Sequence, residues 1–146
     1  MRLTHLLDVN VLLALVDPAS VHHERAHRWA NEKQSNLTWA SCALTENGFC
    51  RILSSTAYPG AVSPGKAARI LAGVRRGLAE HCFWPCDITF ADESLFQWDL
   101  VQGSKQLTDL YLVALAVQQR GHFVTFDQRI RWAAVRGAEA GTVEIL

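Results

Sequence analysis

Residues 107–119 read LTDLYLVALAVQQ, and their reading decides the fold. Leu107, Leu110, Leu112, Val113, Leu115, Ala116 and Val117 leave no polar face until Gln118. A helix apolar nearly all round is either the buried centre of a domain or a membrane span. The run is shorter than the roughly 20 residues that a bilayer requires, so it is read as a central core helix. Its first turn carries one charge, Asp109. An acid there can answer the helix dipole, worth about 0.3–1 kcal/mol, or it can be the deepest ligand of a site. The choice depends on whether other acids reach the same end.

Outward from that helix, Thr108 is its expected N-cap and Gly121 its stop, followed by a strand over 122–126 that closes at Asp127. Near the start, a strand over 5–7 ends at Asp8 and turns into a helix over 9–16, halted at Asp17-Pro18 because a residue before proline avoids helix. Ser20 is expected to cap a helix over 21–33 with Val21, Ala26, Trp29 and Ala30 inward. A strand over 37–40 follows, then a helix capped by Ser41 that reaches residue 53 with Leu44, Phe49, Ile52 and Leu53 as its apolar side. Ser63-Pro64 opens a helix to about residue 80. The remaining expectations are a strand over 82–84, short helices over 92–100 and 128–134, and a last strand over 142–146. Strands alternating with helices indicate one α/β domain, residues 1–146, around a mainly parallel sheet.

In such folds ligands bind beyond the carboxyl ends of the strands. Asp8 and Asp127 each close a strand. Glu46 lies in the opening turns of the helix after the second strand, and Asp109 at the start of the central helix. Four carboxylates from four segments can therefore meet at one edge. Two of them about 4 Å apart repel by roughly 4 kcal/mol at an effective dielectric near 20, so the set calls for a cation. Oxygen donors select a hard ion, Mg²⁺ or Mn²⁺, with Ca²⁺ also possible. Asp8 and Asp109 are read as direct ligands. Glu46 and Asp127 act through water or a second ion, and Asn10 and Thr125 are supporting polar groups. Such a centre suits hydrolysis of a phosphodiester without a nucleophilic side chain.

Composition narrows the alternatives. The chain has 146 residues, 49% hydrophobic and 19% charged, an ordinary globular balance. Fourteen basic and fourteen acidic residues cancel, so a nucleic-acid role must rest on a local patch. Asp8 and Asn10 interrupt the apolar N-terminal stretch, which argues against a signal peptide. The expected location is cytoplasmic, away from any membrane. Cys82 and Cys86, four apart, read as small core residues rather than a metal pair. His23 and His27 have a zinc-compatible spacing but share their helix with Glu24, Arg25 and Arg28, as a solvated face does. No G-x-S-x-G elbow, phosphate loop or dinucleotide fingerprint is present.

The segments LLDVNVLLAL (7–16), HHERAHRW (22–29), LTENGFCRIL (44–53), LTDLYLVALA (107–116) and FVTFDQRI (123–130) occur in this order and cover nearly the whole length. Together they resemble the PIN-domain ribonucleases, most closely the VapC toxins of bacterial VapBC toxin–antitoxin systems. The resemblance implies a PIN-like α/β/α sandwich and an Mg²⁺-dependent endoribonuclease that also accepts Mn²⁺. It implies catalytic acids at Asp8, Glu46, Asp109 and Asp127, supported by Asn10 and Thr125. It further implies tRNA or rRNA as substrate, neutralisation by a VapB-type antitoxin, a homodimer, and contact with operator DNA only through the antitoxin. Local bases available to RNA are Arg51, Arg75, Arg76 and Arg129, with Lys66, Arg69 and Arg131 beside them. Two other readings share the fold: a non-catalytic binding module in an autoregulatory complex, and a housekeeping RNA-processing nuclease.

Overall fold

A computed structural model describes residues 2–146. Five strands, β1 (Thr4–Leu7), β2 (Thr38–Cys42), β3 (Glu80–Trp84), β4 (His122–Thr125) and β5 (Val143–Ile145), form one sheet in the order β3-β2-β1-β4-β5. All four pairings are parallel. The strands are short and the central ones nearly wholly buried, as expected of a sheet covered on both faces. Alternation along each strand divides the core in two. Leu6, Ala40 and Phe123 face one layer, and Leu7, Trp39 and Val124 face the other.

The second layer holds α1 (Val9–Val16), α2 (His23–Lys33), α3 (Ala43–Leu53) and α4 (Pro64–Gly77). The first holds α5 (Leu107–Gln118). Seven consecutive residues of α5, Leu110 to Ala116, are buried, so the helix is enclosed on all sides, as its apolar sequence requires. The sheet covers one side. Residues 86–101 and 130–138 cover the other, joined by an antiparallel bridge between Phe96 and Val135.

That cover explains why two expected helices do not form. Residues 92–100 hold only a 3₁₀ turn, Trp98–Leu100. Asp92 Oδ1 accepts hydrogen bonds from the Ser94 amide and hydroxyl, a local side-chain turn that competes with helix. Phe96 is then pulled into the core beside Phe90 and Trp98. Residues 128–134 keep only the 3₁₀ turn Trp132–Ala134, because their backbone pairs with the first strap through Gln97 N–H to Ala134 O at 2.7 Å and Arg136 N–H to Leu95 O at 2.9 Å.

Three caps also differ from expectation. Helix α3 starts after Cys42, leaving Ser41 in β2 with its hydroxyl free for the site. Helix α5 follows a 3₁₀ turn, Ser104–Gln106, with Gln106 in the cap position and Thr108 inside the first turn. Helix α2 begins at His23; Ser20 Oγ accepts from the His22 amide and Val21 is left exposed. Leu44, expected inward, is also exposed.

His23 and His27 do more than line a solvated face. Their ring nitrogens meet the carbonyls of Ala14 and Leu15 at 2.7 and 2.8 Å, serving the last turn of α1. Cys82 Sγ donates to Trp39 O, and Cys82 and Cys86 both pack against the core. Among the described residues, no helix is long and apolar enough to cross a membrane.

Candidate active site

The carboxyl ends of β1 and β4 lie side by side, and one hydroxyl ties them together. Asp8 caps α1 through Oδ1, which accepts from the Val9 amide at 2.7 Å. Its Oδ2 accepts from Thr125 Oγ1 at 2.7 Å. The same Thr125 oxygen accepts from the Asp127 amide at 3.1 Å and from Asn10 Nδ2 at 3.3 Å. Asn10 closes the ring through Oδ1, which accepts from the Phe126 amide at 3.3 Å. Thr125 is fully buried and Asp8 is buried, so each has its rotamer fixed by bonds rather than by water. Asp127 Oδ1 accepts from the Arg129 amide at 2.8 Å, and the Arg129 side chain stands 3.4 Å away.

Asp109, the third residue of α5, comes to this pair from the other layer. Burial pushes its carboxyl up to about 6, and the charges of Asp8 and Asp127 push in the same direction. Burial likewise raises Asp8, opposed by its bonds from Thr125 and Val9 and assisted by Asp127. Asp109 thus senses both other acids, and Asp8 senses Asp127. The first-turn position of Asp109 favours the anion by only about 0.3–1 kcal/mol, too little to offset burial and two like charges.

The arrangement fits a hard divalent cation. Every donor is oxygen, the carboxylates outnumber nearby cations, and a positive ion would offset the burial and the repulsion that raise Asp109. A cleft of about 360 Å³ opens over Asp109 and Asp127, with Lys105, Arg129 and Arg131 along its wall. Lys105 escaped the sequence reading. It sits in the 3₁₀ turn just ahead of α5, four residues before Asp109, and that spacing was its one visible signal.

Glu46 has partners of its own. Its Oε2 accepts from Ser41 Oγ at 2.6 Å and pairs with Arg75 at 3.1 Å. Ser41 Oγ also meets His81 Nε2 at 2.8 Å. Glu46 therefore already has a cation. Arg75, expected to be free for RNA, is held by Glu46 and stacks over Phe83 at 5.7 Å. Arg129 and Arg131 do reach the cleft. Arg51 and Arg76, with Lys66 and Arg69, are exposed on α3 and α4 and do not line it. Glycine at position 48 sets the spacing between the two groups: a Cβ there would lie 2.8 Å from Val9 Cγ2, so α3 can pack this closely beside the residue next to Asp8 only without a side chain.

Comparison with known proteins follows the same outline. Residues 5–136 match the family model for the PIN domain. Ribonuclease VapC44 of Mycobacterium tuberculosis is 47% identical over 133 residues, which cover 91% of this chain and 92% of that protein. Ribonuclease VapC39 of the same organism is 41% identical over 145 residues, covering 99% of this chain and all of that one. Among solved structures, VapBC2 from Rickettsia felis, bound to a DNA fragment from its promoter, superposes with a TM-score of 0.61 at 12% identity over 99% of both chains. Mycobacterium tuberculosis VapC20, a toxin that cleaves the sarcin-ricin loop, gives 0.57 at 14% identity, covering 92% of this chain and 98% of that one. At those identities the structural likeness concerns the fold.

Proposed function

The chain belongs to the PIN-domain family, among its VapC-type ribonucleases, and from that membership we propose that it is the endoribonuclease toxin of a VapBC pair, using Mg²⁺ or Mn²⁺ to hydrolyse structured RNA. The carrying observation is the trio Asp8, Asp109 and Asp127, whose mutual repulsion helps push Asp109 up to about 6 at the carboxyl edge of the sheet. Kinship with proteins named ribonuclease supports the reaction. The likeness to a VapBC complex supports a VapB-type antitoxin as partner. The substrate class we assign is tRNA or rRNA, the protein working as a homodimer in the cytoplasm and meeting operator DNA through its antitoxin.

Asp8 and Asp109 would hold the ion, with Asp127 beside them. When bound, the ion supplies an acidified water and charge stabilisation for the leaving oxygen of a phosphodiester. The chain does the rest. Thr125 and Asn10 keep Asp8 in one rotamer. Asp127, with Oδ1 committed to Arg129, has Oδ2 available to orient an attacking water in line with the scissile bond. Lys105, Arg129 and Arg131 flank the cleft and counter phosphate charge. Arg75 can exchange Glu46 for a phosphate, releasing Glu46 toward the site for a water or second-ion role.

Purified chain incubated with total RNA should produce discrete fragments with Mg²⁺ or Mn²⁺ and none with EDTA. Asp8→Ala and Asp109→Asn should be inert while remaining folded. Undiminished cleavage by either variant, or by chelator-treated protein, would reject the assignment.

A further inference from the structure

The amino end of the sheet carries a second polar cluster, on residues with no part in the site above. His5 and His122 are register partners on β1 and β4, and Val124, two residues after His122, is the register partner of Glu144 on β5. Side chains two apart share a face, so His5, His122 and Glu144 all point to the α2 side. One ligand atom from each lies within 4.8 Å of the other two.

The bonding of the three leaves their inner atoms unmatched. His5 Nδ1 meets the Thr38 carbonyl at 3.3 Å, an acceptor, which places the ring proton on Nδ1 and the lone pair on Nε2. Nε2 then faces Glu144 Oε2 at 3.8 Å, one acceptor opposite another. The other oxygen of Glu144 is already occupied: Oε1 accepts from Trp29 Nε1 at 2.9 Å and lies 3.9 Å from Lys33. Trp29 also packs edge-on against the His5 ring at 5.5 Å. A histidine whose far nitrogen donates to a carbonyl, and a carboxylate whose outer oxygen is bonded, form the outer support that metal ligands commonly have.

We propose that His5, His122 and Glu144 form a metal site for a borderline divalent transition ion such as Zn²⁺, separate from the carboxylate centre. Two imidazoles and one carboxylate select such an ion over Mg²⁺. Bond lengths of about 2.0–2.2 Å put tetrahedral ligand atoms about 3.4 Å apart, which small side-chain rotations reach from the present spacing. The fourth position is left to water, admitted by the adjoining cleft of about 440 Å³ between His5, Lys33 and Asn36. The bound ion clamps β1, β4 and β5 at the end of the sheet opposite the acids.

Co²⁺ is the probe, titrated into the full chain with excess Mg²⁺ present to occupy the carboxylates. The expected result is one equivalent of saturable binding with intense tetrahedral visible bands, displaced by Zn²⁺ and accompanied by a higher thermal midpoint. His122→Ala and Glu144→Gln should each weaken it by at least about tenfold. Glu144→Gln keeps an acceptor for Trp29, so it reads the site even where His122→Ala loses stability. Weak octahedral bands alone, a thiolate charge-transfer band, or affinity unchanged from the parent in both variants would overturn the proposal.

Discussion

Two sets of acids share the carboxyl edge of this sheet, and they differ in how their charge is balanced. Glu46 comes with its own cation, Arg75, at 3.1 Å, and a hydroxyl donor from Ser41. Among the described residues, Asp8, Asp109 and Asp127 have one side-chain ion pair between them, that of Asp127 with Arg129 at 3.4 Å. Burial and repulsion therefore raise Asp109, and burial raises Asp8. If the proposed ion binds, the contrast puts its largest stabilising effect at the trio.

The largest effect should come from breaking the trio. Loss of a direct ligand removes several kcal/mol of transition-state stabilisation, so Asp8→Asn and Asp109→Asn should each lower RNA cleavage by about a thousandfold or more, measured with one purified substrate. Glu46→Gln, which removes an acid that already has a partner, should lower it by about 10–100-fold. Equal losses in all three would erase the distinction drawn between the groups. Thr125→Val should fall in the same 10–100-fold range, because Asp8 loses its orienting donor and the Asp127 amide loses its acceptor. Rescue in Thr125→Ser, which restores the hydroxyl, would separate orientation from general loss of packing.

Stability should show the contrast with opposite sign. The folded carboxyl of Asp109 lies at about 6, against an ordinary 3.8. A raised carboxyl means the fold prefers the protonated form. Its favourable contribution is complete below about pH 4 and is lost as pH rises through 6. In metal-free protein, Asp109→Asn should therefore unfold with a free energy about 1–2 kcal/mol higher than the parent at pH 8, after allowance for partial solvent screening, and about equal at pH 4. Urea titrations at the two pH values measure this. Added Mg²⁺ should reverse the order at pH 8. A destabilisation of comparable size is expected at the junction of the two groups. Gly48→Ala must displace the Val9 side chain, and a destabilisation of about 1–3 kcal/mol is expected from such overpacking.

Most of the frame was readable from the chain because its signals are local. Short apolar strands ending in Asp8 and Asp127, and a helix apolar all round at residues 107–119, led to the parallel sheet, the buried α5 and the edge that carries the acids. What escaped reading depends on partners far away in sequence. Phe96 is drawn into its strap by Val135, so residues 92–100 did not become a helix. Ser41 was freed from capping by a strand that runs two residues further, and it holds Glu46 instead. The pairing of Glu46 with Arg75 joins α3 to α4, and the cluster of His5, His122 and Glu144 joins three strands. Neither has a spacing that a sequence displays.

The most direct test of the central claim is a titration of the metal-free chain with Mn²⁺, following free Mn²⁺ by electron paramagnetic resonance. Tight binding should be present in the parent and in Glu46→Gln, and lost in Asp8→Asn and Asp109→Asn. Retention of that binding in both aspartate variants would contradict the assignment of the trio as the ion-binding centre.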